Sequence, residues 1–156
     1  MDRETGPQAM ALRVLAPVDG SDITWRAFER GLLLLKGTPG LTVTAFNVRQ
    51  AGFEGASEDS VESFDKNERD EIFPTAAASE RCLREAQEIG KRVGVQVQVK
   101  SAEGTHYEAI LSEAEHHDVL LMHHLSSSSL KDALKGSRGE DLARNVKASV
   151  LFVRAD

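Results

Sequence analysis

The feature that most constrains this chain is an alternation. Short apolar runs come round five times, and helical periodicity or turn chemistry fills the spaces between them. Residues 12–18 (LRVLAPV) lead into Asp19-Gly20-Ser21, a strand followed by turn residues. Residues 22–36 put Ala27, Phe28, Gly31, Leu32 and Leu35 on one helical face, with Ser21 as N-cap and Asp22 at the positive end of the helix dipole. Gly37 and Pro39-Gly40 stop that helix. Residues 41–48 (LTVTAFNV) are rich in β-branched side chains and predict a second strand. Helical spacing resumes at Thr75, carried by Cys82, Ala86, Ile89 and Val93, and ends near Gly94. Residues 95–99 (VQVQV) alternate strictly, which predicts a strand with one wet face at or near a sheet edge. A third helix follows Gly104-Thr105, with His106, Ile110 and Ala114 in register. Residues 119–122 predict a buried strand, 139–146 a short helix, and the run from Val150 to Val153 (VLFV) the last strand.

Mostly apolar strands that alternate with helices predict an α/β fold, a parallel sheet with helices on both faces and right-handed crossovers. The 156 residues suit one domain of ordinary size, with enough interior to fold without disulfides or a structural metal. Residues 1–10 predict a disordered tail, within which Met10 is an alternative start, and residues 11–156 a single domain. Residues 49–74 break the rhythm with eight acidic and three basic residues, so most of the formal charge of −6 sits in one long acidic loop. That charge argues against nucleic acid and anionic membrane surfaces as partners, because phosphate binding needs a basic face. The apolar runs are too short to span a bilayer, and the polar N-terminus lacks the apolar core of a signal peptide, so the expected location is cytoplasmic. Cys82 is the single cysteine, and its place on the apolar helical stripe predicts a buried, inert thiol.

In an open parallel sheet, ligands bind beyond the carboxyl ends of the strands, where the strand order reverses. The segments that reach such a crevice are Asp19-Gly20-Ser21, the residues after Val48, and 123–137. No Walker loop, Rossmann glycine fingerprint, G-x-S-x-G elbow or H-E-x-x-H helix occurs. A receiver-type phosphoacceptor is also missing, since the third strand leads into Lys100-Ser101-Ala102 without an aspartate.

VLAPVDGSD with its following helix, then EGTHYEAILSEAEHHDVLLM, LKGS and the terminal SVLFV occur in that order. Together they resemble the universal stress protein family over residues 12–154. The resemblance implies a five-stranded parallel sheet of order 3-2-1-4-5, adenine-nucleotide alpha-hydrolase-like, and a homodimer formed through the last strand, Val150 to Val153. Pairing there would cover open backbone groups on an apolar edge strand. Many family members bind ATP through a glycine motif after strand 4: Gly, two residues, Gly, nine residues, Gly, then Ser or Thr. Its glycines let backbone amides approach the phosphates closely. Counting back from Gly136-Ser137, the earlier glycine positions fall on His123 and Ser126. The spacing survives while both glycines are replaced, and the imidazole at the first position crowds the phosphate path. The resemblance further implies Asp19 beside the nucleotide, Pro17 and Val18 on the floor, Val48 or Phe46 near the base, and Met122 at the end of strand 4. For Asp19 the alternative is a turn residue bonded to its own backbone, and for Gly136-Ser137 a turn into the last helix.

Four of the five histidines form the doublets His116-His117 and His123-His124. Neighbours on a strand point to opposite faces, and the doublets belong to opposite sheet ends, so the expectation is no metal site. The leading expectation is a cytoplasmic, dimeric, regulatory or protective protein without catalytic activity, acting through an unidentified protein partner and not holding ATP tightly. Two alternatives stay open: a nucleotide-dependent switch in which Asp19, Ser126 and Gly136-Ser137 hold ATP with a divalent metal, and a small enzyme using Asp19 and His123.

Overall fold

A computed structural model describes residues 11–49, 76–124, 142 and 144–155. Strands β1 (Leu12–Pro17), β2 (Leu41–Arg49), β3 (Val97–Glu103), β4 (Val119–His124) and β5 (Ser149–Arg154) form one sheet. Its order is β3-β2-β1-β4-β5, and every pairing is parallel. Helices α1 (Asp22–Leu35) and α2 (Ala76–Val93) cover one face, and α3 (His106–Ala114) packs on β1 and β2 from the other. The tail 1–10, the acidic segment from 50 to 74 and residues 125–141 lie outside the described residues, as does half of the expected helix 139–146; Leu142, Arg144 and Asn145 of it are helical.

The two faces follow from the strand period of two. Val14, Ala16, Val18, Val43 and Ala45 point into one core, against Phe28 and Leu32 of α1 and Cys82, Ala86 and Ile89 of α2. Leu15, Phe46, Val48 and Leu120 point into the other, against Ile110 and Ala114. Strands buried on both faces read as continuous apolar runs, the pattern expected of a covered parallel sheet. Burying a side chain such as Phe28 or Leu32 contributes roughly 1.5–3 kcal/mol, and this double core holds the layers together.

Helix α1 starts where its residues demand. Ser21 has extended backbone angles, and its hydroxyl accepts from the Thr24 amide, so it is the N-cap. Helix α2 shows why the third strand differs from expectation. Gly94 takes φ +86°, and both its amide and that of Val95 return to the Gly90 carbonyl. Val95 therefore belongs to the helix cap, and β3 begins at Val97 rather than at 95. It also runs on to Glu103 instead of stopping at 99, because β2 offers a partner for each residue up to Arg49. As expected, β3 is an edge strand.

Two other boundaries move. Strand β4 continues through His123 and His124, since β5 pairs with both through Val153 and Arg154. His123 is thus a strand residue and not the first of a loop. Helix α3 ends at Ala114, and His116 and His117 sit in the turn that follows, their amides bonded to the carbonyls of Glu113 and Ala114.

Candidate functional site

The crevice begins with a proline. Successive amides of a strand point to opposite neighbours, and the Val18 amide donates to Phe46 O on β2 at 2.9 Å. The position before it faces β4, and Pro17 has no amide hydrogen to give there. β1 stays in register with β2 over all six of its residues, but with β4 only at Val14–Val119 and Leu15–Leu120. Beyond that point the ladder stops, and a cavity of ≈ 160 Å³ opens at the carboxyl end of the sheet. This is the place where the strand order reverses.

Pro17, Val18, Asp19, Thr24, Phe46, Val48, His106, Ile110, Leu121, Met122 and His123 line this cavity. Its apolar lining is largely buried, whereas Asp19, His106 and His123 are exposed at the rim.

Asp19 is held by its own turn. One carboxylate oxygen, Oδ1, accepts from the Ser21 amide at 2.9 Å, the Ser21 hydroxyl at 2.7 Å and the Thr24 hydroxyl at 2.5 Å. Partial shielding of the carboxylate alone would push its pKa up. The hydrogen bonds from Thr24 and Ser21, with the charge of His123, outweigh that and hold it below the usual carboxylate range. The turn reading of Asp19 therefore describes its geometry, and its other oxygen, Oδ2, receives none of these bonds.

Beneath the floor lies a buried polar layer. Asn47 Nδ2 donates to Val18 O at 2.9 Å, which satisfies the carbonyl at the lip of the cavity. The Cys82 sulfur sits 3.7 Å from that nitrogen and 3.8 Å from the same carbonyl. Burial pushes the Cys82 thiol up to about 12; Asp19 and Glu85 add to this, and the Asn47 hydrogen bond opposes it. A thiol so placed stays protonated and inert. Among the described residues, Asn47 Oδ1 and Ser79 Oγ are buried side-chain atoms without a partner.

All of Pro17, Val18, Asp19, Val48, Met122 and His123, together with Phe46, meet at this one cavity. Ser126, Gly136 and Ser137 lie outside the described residues. Sequence reasoning missed Thr24, His106, Ile110 and Leu121 as lining residues. Thr24 carried a usable signal, standing three residues after the N-cap, where a hydroxyl meets the groups of the preceding turn. The spacing of His106 and Ile110 marks only a helical face, although a helix that follows β3 must begin at the carboxyl end of the sheet. No group of three or more His, Cys, Asp or Glu among the described residues could hold a metal ion. No helix among them is long and apolar enough to cross a membrane.

The family model described as the universal stress protein family matches residues 10–154. No curated protein matches the chain. Among solved structures, a universal stress protein in complex with cAMP is 23% identical, with a TM-score of 0.68, covering 93% of this chain and 98% of that one. The universal stress protein UspA from Lactobacillus plantarum is 19% identical, TM-score 0.64, covering 92% and 97%. A universal stress protein family protein from Arabidopsis thaliana with AMP bound is 16% identical, TM-score 0.61, covering 93% and 92%.

Proposed function

The chain belongs to the universal stress protein family, and from that premise we propose that it is a cytoplasmic, non-catalytic regulatory protein that responds to an adenine nucleotide held in the β1–β4 crevice. In this reading the nucleotide carries a short phosphate end, and ATP is bound only weakly. The supporting observation is the cavity itself. Val18, Phe46, Val48, Ile110 and Met122 give it an apolar slot of the kind a purine fills, while an imidazole stands at its rim at position 123. Similar folds carry cAMP and AMP.

The apolar residues present suit a base. Beyond His123 and His124, the segment that would cradle a triphosphate lies outside the described residues. At position 123 a side chain stands where the family motif has glycine, which removes the close backbone approach a phosphate chain uses. Asp19, engaged by three donors, serves to hold the turn that follows Val18 at the cavity. The protein acts as a homodimer paired through Val150 to Val153 on the β5 edge, and signals to a protein partner.

Denaturing extraction of gently purified protein, followed by mass spectrometry, tests the reading. Expected is substoichiometric monophosphate or none, together with a rise in melting temperature when AMP or cAMP is added, because a ligand that binds only the native state stabilises it. Recovery of near-stoichiometric ATP would overturn it. In the double variant His123→Gly, Ser126→Gly, ATP affinity should increase; no gain would remove the steric account.

A further inference from the structure

Just past the end of β1, its ladder with β2 is closed by a side chain. In a parallel pair, the N–H and C=O of one residue both turn to the same neighbouring strand. Phe46 turns to β1, where its carbonyl accepts from the Val18 amide at 2.9 Å. Arg49 turns to β3, where its carbonyl accepts from the Gly104 amide at 2.9 Å. Val48, two residues from Phe46 and one from Arg49, therefore turns its N–H and C=O to the β1 side. The next regular bond would run from the Val48 amide to the Val18 carbonyl. Asn47 Nδ2 donates to that carbonyl instead, at 2.9 Å. Among the described residues, the Val48 amide and carbonyl meet no partner on the β1 side. Val48 is buried and lines the cavity.

We propose that Asn47 is a positioning residue of this site: by occupying the Val18 carbonyl, it stops the β1–β2 ladder one bond early and keeps the Val48 N–H and C=O open to the ligand. The proposal rests on the nucleotide reading above and adds to it a residue that acts from beneath the cavity, through Val48. Buried backbone groups without partners are rare, so a pair of them at a cavity wall points to a ligand that supplies the partners. An N–H beside a C=O on one strand suits a ring that offers an acceptor nitrogen next to an amino donor, as adenine does.

Stability alone does not account for an asparagine at this position. Its Oδ1 is buried without a partner, whereas a leucine side chain of similar size would bury no acceptor. Without the carboxamide, the Val18 carbonyl would be free to take the Val48 amide, and the ladder would gain a regular bond. The orientation of the carboxamide is set from below and above. The Cys82 sulfur lies 3.7 Å from Nδ2 and 3.8 Å from the Val18 carbonyl oxygen, so Nδ2 is the atom that faces the strand end. Asn47 thus holds the ladder open at the expense of the fold, and the benefit falls at the cavity.

Asn47→Leu in the full chain tests this, with adenosine as the probe. Calorimetric titration should show adenosine binding about tenfold or more weaker to the variant, because two hydrogen bonds to the base are lost. The unliganded melting temperature should hold or rise, a combination that a merely structural asparagine would not give. Purine riboside keeps the ring acceptor and lacks the amino donor. It should bind the wild-type chain more weakly than adenosine does, and bind Asn47→Leu as adenosine does. In the wild-type chain, the NMR shift of the Val48 amide proton should change steeply with temperature, as for a donor without a protein acceptor, and shallowly once adenosine is bound. That measurement does not depend on the variant folding. Three results would each overturn the proposal while adenosine binding upheld the nucleotide reading: unchanged adenosine affinity in the variant, an equal loss for both nucleosides, or a Val48 amide that behaves as a ladder donor without ligand. Failure of adenosine to bind the wild-type chain would overturn the two together.

Discussion

Asp19 shows how a single side chain sets the geometry of this site. Its Oδ1 gathers donors from Ser21 and Thr24, and those bonds fix the turn between β1 and α1. Replacing Thr24 by valine keeps the shape and removes one donor. The expected cost is about 1 kcal/mol near neutral pH, at the low end for a hydrogen bond to a charged group because Asp19 is open to water. The pH dependence has a definite sign. A depressed carboxyl pKa stabilises the fold above the unfolded value, and that contribution disappears as the pH falls through the folded value. The difference between wild type and Thr24→Val should therefore shrink below about pH 4, as read by urea unfolding at several pH values. At this scale the sequence was partly legible. Asp-Gly-Ser announced a turn, and Ser21 was recognisable as a cap. Thr24, three residues after the N-cap, signals a hydroxyl near that turn, and the folded helix shows that its partner is the Asp19 carboxylate.

Elements were more legible than their ends. The β2 run and the stripe of α1 announce themselves because burial on both faces, or on one helical face, leaves a period in the sequence. Strand β3 is the instructive exception. Its alternating VQVQV pattern pointed to 95–99, but a glycine cap claims Val95 for the helix, and the strand's later residues are polar because they lie on an open edge. Pairing with β2, a nonlocal fact, decides where β3 stops. Gly90 marks the other nonlocal fact, the close approach of α2 to the sheet. A Cβ there would lie 2.5 Å from Val97 Cγ2 and 2.6 Å from the Val95 carbonyl oxygen. Alanine gains up to about 1 kcal/mol of helix propensity, but the carbonyl belongs to the cap and cannot retreat, so overpacking of roughly 1–3 kcal/mol outweighs it. Gly90→Ala should lower the urea midpoint; an unchanged or higher midpoint would show that the helix can shift away from β3.

At the scale of the molecule, the two sheet edges differ. β3 exposes Gln98, Lys100 and Ser101, polar residues that discourage pairing, whereas β5 carries a half-buried apolar middle between Ser149 and Arg154. Self-association should therefore use β5. Sedimentation should give a dimer, and Phe152→Lys should yield monomers, while an equivalent change at Val99 leaves the dimer intact. The strand order was legible through the family resemblance, whereas the helix–strand alternation alone predicted only a covered parallel sheet, because many strand orders satisfy the same alternation. The sheet is joined unevenly. Two register pairs connect β1 to β4, against six between β1 and β2. Mechanically this makes two leaves, β3-β2-β1 and β4-β5, hinged on a short spine, with α1 as the brace because it follows β1 yet packs on β4 and β5. Amides of β4 beyond Leu120 should exchange with solvent sooner than those of β2, as local opening follows the weakest seam. A ligand wedged where Pro17 leaves the spine unstitched would load that brace, and the strain would be felt at the outer edge of the smaller leaf.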